Sequence, residues 1–161
     1  MSAGGRTAAQ ESRPTRILAI DHGNVRLGLA VSDPDRRIAS PLANYTRKDL
    51  EQDGRYLQQV IEEEGIGQIV IGLPVHLSGE ESAQSQAARK FGAWLAKQTE
   101  LPIVYADERF STWEAESALW DAGLTHKKRK ARRDQVAAQV LLQAYLDAGC
   151  PREVPPRALD S

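Results

Sequence analysis

The chain has 161 residues, of which 41% are hydrophobic and 27% are charged, a composition that suits one soluble domain burying roughly 68–70% of its unfolded surface. Its net charge of −1 argues against a protein that coats nucleic acid without specificity. No apolar run approaches the ~20 residues that cross a bilayer, which excludes a transmembrane helix and a membrane partner.

The ends of the chain and its single cysteine indicate the compartment. The first residues lack the apolar segment of a secretory signal, and Cys150 has no second cysteine with which to form an internal disulfide. We therefore expect a cytoplasmic protein. We expect a flexible tail over residues 1–15, one domain over residues 16–149 and a second flexible tail over residues 150–161.

Three strands and a helix are predicted at the start of the domain. Residues 16–20 and 26–31 are apolar and flank the turn-forming residues 21–25, a pattern that predicts a β-hairpin. Residues 38–46 favour a third strand, which Pro41 places at an edge of the sheet or makes irregular. Helical spacing of apolar residues over 50–64, with Gly65 as the stop signal, predicts the first helix.

The second half of the chain alternates between strand and helix patterns. A buried strand over 68–74, an amphipathic helix over 82–98 and a strand over 101–106 form a βαβ unit, so its strands should be parallel. A capping-box spacing predicts a helix over 111–121, and a last helix is predicted from about Arg133 to Ala148. This order predicts an α/β fold with a mixed central sheet of about five strands flanked by helices.

Three carboxylates lie where predicted elements begin or end. Asp21 ends the first strand, Glu108 follows the last strand, and Asp134 opens the last helix. Carboxylates that separate elements bring to one sheet edge bind hard cations such as Mg²⁺ and Mn²⁺. Each also has a structural interpretation, because Asp fills turns and an acidic residue near a helix N-terminus gains ~0.3–1 kcal/mol. Spacing alone does not separate Glu108 from its neighbour Asp107.

A dense cationic run ends directly on Asp134. It consists of Lys127, Lys128, Arg129, Lys130, Arg132 and Arg133. We expect a basic loop that brings substrate phosphates to the metal site, with a binding constant that falls as salt rises, although such runs are usually solvated loops. Arg26 and Arg109 either hold phosphate bidentately or make surface ion pairs of little energetic value.

Four short motifs follow one another along the chain: residues 21–33 (Asp-His-Gly-Asn-Val-Arg-Leu-Gly-Leu-Ala-Val-Ser-Asp), 72–74 (Gly-Leu-Pro), 107–112 (Asp-Glu-Arg-Phe-Ser-Thr) and 134–138 (Asp-Gln-Val-Ala-Ala). In this order they resemble the successive motifs of the YqgF/RuvX family. The resemblance spans roughly residues 16–148 and implies a ribonuclease H-like fold. It also implies that Asp21 is the first metal carboxylate and that Glu108, rather than Asp107, is a ligand. His22 and Ser78 depart from the family pattern and leave the substrate contacts open.

The family is described as pre-16S rRNA nucleases or Holliday-junction resolvases. The resemblance therefore implies a nuclease that uses two Mg²⁺ or Mn²⁺ ions held by Asp21, Glu108 and Asp134. Its expected substrate is the 5′ end of precursor 16S rRNA, with ribosomal particles as further partners and with branched four-way DNA as the alternative. Symmetric junction cutting needs two active sites, so the sequence leaves monomer and homodimer open.

Two other function classes remain. A catalytically silent nucleic-acid-binding module would keep the fold and the basic run, and would bind without dependence on metal or on Asp21. An Asp-x-Gly hairpin is also found in sugar-kinase and actin-like ATPases, but those proteins surround the nucleotide with two such domains. A chain of 161 residues is too short for that arrangement.

Overall fold

The computed structural model describes residues 15–74, 83–107 and 126–151, and for residues 126–135 it describes the backbone only. The strands are β1 (Arg16–His22), β2 (Arg26–Ser32), β3 (Ala39–Thr46), β4 (Ile66–Leu73) and β5 (Ile103–Asp107). The helices are α1 (Leu50–Glu64), α2 (Ala83–Thr99) and α3 (His126–Asp147). The helix predicted over residues 111–121 lies outside the described residues. Within the described ranges, none of the helices has the length and apolar character that a bilayer span requires.

The five strands form one mixed sheet in the order β3-β2-β1-β4-β5. The first three strands are antiparallel neighbours, whereas β4 is parallel to both β1 and β5. The predicted hairpin, the parallel βαβ unit and the mixed sheet are therefore confirmed. β3 lies at the edge, and its register with β2 shifts next to Pro41, because proline cannot donate a ladder hydrogen bond.

Local signals set the limits of α1. The Asp49 side chain accepts a 2.8 Å hydrogen bond from the backbone N–H of Gln52, which satisfies one of the free donors at the helix N-terminus. Gly65 ends the helix with φ 66°, a left-handed conformation that glycine adopts without steric cost. The first and last residues of α1 are those that the sequence pattern predicts.

The two faces of the sheet pack against different helices. Side chains alternate between faces along each strand, so Leu18, Ile20, Leu27, Leu29, Ile69 and Ile71 share a cluster with Leu57 of α1 and with Phe91 and Leu95 of α2. The opposite face contributes Ile17, Ala19, Ala30, Val70, Val104 and Ala106 to a cluster with Ala138, Leu141, Leu142, Tyr145 and Leu146 of α3. We call these the α1/α2 face and the α3 face.

The last helix begins earlier than predicted. It starts at His126 rather than near Arg133, so the cationic run expected in a loop is helical and Asp134 lies eight residues inside the helix. Lys, Arg, Ala and Gln are good helix formers, and neither Gly nor Pro interrupts residues 126–147. The interpretation of Asp134 as a charge at the helix N-terminus is therefore wrong, because the dipole effect fades within the first turn.

Candidate active site

Asp21 lies near the carboxyl end of β1, the central strand of the sheet. It is half-buried and pairs with Gly28 of β2. Since Ile17 and Ala19 point to the α3 face and side chains alternate along a strand, Asp21 belongs to the α3 face as well. Asp21 thus lies at the end of the sheet where β1 stops, on the face that α3 covers.

The backbone of Asp134 belongs to the helix that covers this same face. The C-terminal part of α3 lies at the amino end of β4, where the Gln68 side chain donates a 2.8 Å hydrogen bond to the Tyr145 hydroxyl. Following α3 toward its N-terminus therefore leads away from the amino ends of β1 and β4. Position 134 is four residues before Ala138, which is fully buried against the sheet, so the two positions share one face of the helix.

Asp107 is the last residue of β5 and is fully buried. It pairs with Leu73 and follows Ile103 and Tyr105 in the alternation that packs against the α1/α2 face. Asp107 and Asp21 are therefore on opposite faces of the sheet. Glu108, the predicted ligand, lies outside the described residues.

Of the two arginines predicted to bind phosphate, only Arg26 lies among the described residues. Arg26 is the half-buried first residue of β2. It alternates with Leu27 and Leu29 of the α1/α2 face, so it shares the α3 face with Asp21. In an antiparallel pair, a residue two positions from the direct partner lies about 7–8 Å away. Arg26 has this relation to Asp21, whose direct partner is Gly28. Arg109 lies outside the described residues.

The predicted cationic run occupies the first turns of α3. Lys127, Lys128, Arg129, Lys130, Arg132 and Arg133 all fall between the helix start at His126 and Asp134. Positions 127 and 130 share a helix face with position 134, because residues three, four and seven apart lie above one another on a helix. The cationic run therefore belongs to the same helix as Asp134, and two of its positions share the helix face of position 134.

A buried ion pair supports the turn that follows Asp21. The Arg47 Nε lies 3.3 Å from Asp53 Oδ2, and Arg47 Nη1 donates to the carbonyl oxygen of Gly23 at 3.1 Å. Asp53 is only 1% exposed and also accepts from the Tyr45 hydroxyl at 2.8 Å and from the backbone N–H of Lys48 at 2.9 Å. The β1–β2 turn is thus tied to β3 and α1.

His22 belongs to the same network. Arg47 Nη1 lies 3.1 Å from His22 Nε2, and the imidazole packs against Phe91 with ring centroids 4.8 Å apart. Burial, and then the positive charge of Arg47, lower the pKa of His22 to about 4, so the ring is neutral at pH 7 and its Nε2 accepts a hydrogen bond from Arg47 Nη1. His22 is half-buried in the fold. Sequence reasoning missed this network, since its members come from three elements and form no linear motif.

Gly23 is required by the turn itself. A Cβ at this position would lie 2.6 Å from the backbone oxygen of Arg26, a distance that real side chains do not tolerate. The hairpin therefore needs glycine here for a steric reason.

The donor chemistry of the predicted ligands suits a hard cation. Asp21 offers carboxylate oxygens at the sheet edge, and two further carboxylates would complete the negative charge that Mg²⁺ or Mn²⁺ needs. Within residues 15–74, 83–107 and 126–151, no group of three or more His, Cys, Asp or Glu residues forms a metal site. Glu108 and the side chain of Asp134 lie outside these described residues.

Comparisons with known proteins identify relatives over most of the chain. The family described as "RuvX: Holliday junction resolvase" matches residues 15–148. A protein from Rhodopirellula baltica named "Putative pre-16S rRNA nuclease" is 42% identical over 144 residues, covering 88% of this chain and 83% of its own. One of the same name from Koribacter versatilis is 44% identical over 141 residues, covering 87% of this chain and 92% of its own.

A solved structure shares the fold. T. thermophilus RuvC in complex with a Holliday junction substrate superposes with a TM-score of 0.55 at 16% identity, covering 84% of this chain and 96% of that chain. This similarity confirms the predicted ribonuclease H-like fold. Because the family match covers most of the chain and relatives exceed 40% identity over more than four-fifths of their length, the protein belongs to the RuvX family.

Proposed function

We propose that this protein is a metal-dependent nuclease that trims the 5′ end of precursor 16S rRNA. The names of the relatives support the substrate. The observation that carries the chemistry is the position of Asp21, a carboxylate at the end of the central strand on the face that α3 covers. We expect the protein to act in the cytoplasm on ribosomal particles.

The proposed ligands are Asp21, Glu108 and Asp134, whose carboxylates would hold Mg²⁺ or Mn²⁺. When bound, such ions supply the charge that lowers the pKa of an attacking water and stabilises the oxygen that leaves. Arg26, Arg109 and the cationic run of α3 would neutralise the phosphates and orient the scissile strand. These contacts hold the substrate by charge, so its affinity should fall as salt rises.

A second candidate substrate is four-way DNA. The matching family carries the description of a Holliday junction resolvase, and symmetric cleavage of a junction requires two active sites related by a twofold axis. A stable homodimer in solution would favour this substrate, and a monomer would oppose it.

Cleavage of two labelled substrates tests the proposal. A precursor 16S 5′-leader RNA and a four-way DNA junction are incubated with Mg²⁺, with Mn²⁺ or with chelator, using the wild type, Asp21→Asn and the matched control Asp35→Asn, whose side chain is exposed. We expect metal-dependent cleavage of the RNA by the wild type and Asp35→Asn, and its loss in Asp21→Asn. Circular dichroism should show the same fold for all three proteins.

Three outcomes would contradict parts of the proposal. Cleavage by Asp21→Asn at the wild-type rate would exclude Asp21 as a ligand. Preferential cleavage of the junction would show that the substrate is branched DNA rather than precursor 16S rRNA. Salt-sensitive binding of both substrates without any cleavage would indicate a silent binding module.

A further inference from the structure

A groove opens between α1 and α2 beside the β1–β2 turn. Its volume is about 290 Å³, and the side chains that define it are His22, Arg47, Leu50, Lys90, Phe91 and Trp94. Through Leu50 and Trp94 it continues into a second depression of about 440 Å³ along α1. The groove has no role in the metal chemistry proposed above.

The floor of the groove is aromatic. Phe91 is only 5% exposed, and its ring centroid lies 4.8 Å from that of His22 and 5.5 Å from that of Trp94. His22 and Trp94 are half-buried, and Leu50 is 51% exposed at the rim. These flat and apolar surfaces, still open to solvent, are suited to contact with planar rings.

The rim of the groove carries one exposed cation, Lys90, and a second cation, Arg47, whose charge is paired with that of Asp53 at 3.3 Å. The Arg47 guanidinium carbon lies 5.3 Å from the centroid of the Phe91 ring. No carboxylate is among the described residues that line the 290 Å³ groove. Asp53 is buried beneath Arg47, and the carboxylate of Glu51 belongs to the second depression. A ligand that fits this groove therefore carries both flat rings and negative charge.

The groove also adjoins the proposed active site. His22 follows Asp21 in β1, and their side chains belong to opposite faces of the sheet. A nucleic-acid strand that passes Asp21 at the carboxyl end of β1 would thus meet the groove on the other face of the sheet, at the same end. Single-stranded nucleic acid has the required chemistry, since aromatic side chains stack on bases while cations follow the backbone.

We propose that this groove binds an unpaired segment of the nucleic-acid substrate, with a base against Trp94 and the adjoining phosphate near Lys90. The inference rests on the proposed nuclease function for the identity of the substrate. It assigns the α1/α2 side of the molecule to substrate binding, in addition to the α3 side on which Asp21 lies.

Binding without cleavage tests the groove. A labelled single-stranded RNA oligonucleotide of mixed sequence is titrated in chelator and followed by fluorescence anisotropy, with the wild type, Lys90→Gln, Trp94→Leu, Trp94→Phe and Arg37→Gln. Arg37 is the control, because it is an exposed cation whose backbone oxygen accepts from Gln143 of α3, away from the groove. We expect Trp94→Leu to weaken binding about fivefold or more, since base stacking on one aromatic side chain accounts for at least that factor.

The other variants separate stacking from charge. Lys90→Gln should weaken binding and lower the dependence of the binding constant on salt, since one phosphate contact is lost. Trp94→Phe should stay within about twofold of the wild type because an aromatic ring is retained, and Arg37→Gln should match the wild type in affinity. Wild-type affinity of both Lys90→Gln and Trp94→Leu would overturn the inference, and Lys90→Gln tests it even if Trp94→Leu folds poorly.

Failure of the groove and failure of the nuclease are distinguishable. If the wild type cleaves nothing with Mg²⁺ or Mn²⁺, the proposed function fails, whereas the titration in chelator still decides whether the groove binds RNA. If the wild type cleaves but the groove variants bind as it does, only the groove inference fails.

Discussion

Asp53 is a buried carboxylate that binds Tyr45 of β3 and two residues that follow β3, Arg47 and Lys48. Arg47 in turn donates a hydrogen bond to Gly23 in the β1–β2 turn. Asp53 is 1% exposed and carries the negative charge that Arg47 neutralises at 3.3 Å. Breaking a buried pair by removing one partner leaves an uncompensated charge in a poorly solvated place. The pair therefore positions the turn next to Asp21, and substitution of either partner should lower the stability of the fold.

We predict that Asp53→Ala lowers the free energy of unfolding by about 3–5 kcal/mol. Chemical denaturation in urea measures this change, and Asp35→Ala is the control because Asp35 is exposed and surface substitutions usually stay within ~0.5 kcal/mol. Equal midpoints for Asp53→Ala and the wild type would show that the ion pair contributes nothing net. In that case Arg47 would position the turn through its contacts with Gly23 and His22 alone.

His22 shows how a residue changes meaning between sequence and structure. In the sequence it is one of three scattered histidines, for which exposure is the ordinary expectation. In the fold it lies between Arg47 and Phe91 with its pKa lowered to about 4. It therefore contributes a neutral ring rather than a charge at pH 7.

At the scale of elements, α3 has an arrangement of charge that does not favour its own stability. Its first turn contains Lys127 and Lys128 and no acidic residue, although the helix dipole favours negative charge at that end by ~0.3–1 kcal/mol per group. A contribution to phosphate binding, as proposed above, would account for cations at these positions.

We predict that Lys127→Glu with Lys128→Glu raises thermal stability while it lowers affinity for RNA and lessens the salt dependence of binding. Melting temperature and fluorescence anisotropy measure the two effects in the same protein. Lys97→Glu is the mirrored control, because Lys97 lies in the last turn of α2, where the same charge reversal should lower stability. Unchanged affinity in the double variant would remove the cationic run from the substrate contacts.

For the whole molecule, the proposed ligands come from three separate parts of the chain. Asp21 lies next to the last residue of β1, Glu108 follows β5 in the sequence and Asp134 lies within α3. A metal ion held by all three would connect these parts in the folded state only, and anything that binds only the folded state stabilises it.

We predict that Mn²⁺ raises the melting temperature of the wild type and of Asp35→Asn, but not of Asp21→Asn, Glu108→Gln or Asp134→Asn. Saturation at a hundredfold excess over the dissociation constant corresponds to about 2.7 kcal/mol of added stability. Differential scanning calorimetry with Mn²⁺ and with chelator gives the comparison without any substrate. A full Mn²⁺ shift in Asp134→Asn would exclude that residue from the ligand set, and the same test decides the place of Glu108.

Much of the fold follows from local patterns in the sequence. The hairpin, the edge strand with Pro41, the limits of α1 and the parallel βαβ unit depend on alternation, helical spacing and punctuation by Gly and Pro, which act within a few residues. The start of α3 at His126 could not be predicted from the sequence pattern, because a run of like charges is typical of a solvated loop. In the structure, helix propensity and the packing of Ala138, Leu141 and Leu142 on the sheet extend the helix through it.

The sequence by itself determined the family and the order of the described elements, because motifs and periodicity lie along the chain. It also supplied the three candidate ligands, with Glu108 preferred to Asp107 on the family resemblance rather than on spacing. Only the tertiary structure decided that Asp107 is on the face opposite Asp21, that Asp53 and Arg47 form a buried pair beneath the turn, and that His22, Phe91 and Trp94 share one groove. These contacts join residues that are distant in sequence, and their energies depend on burial and on the face that each side chain occupies. Neither quantity exists until the strands pair and the helices pack against the sheet.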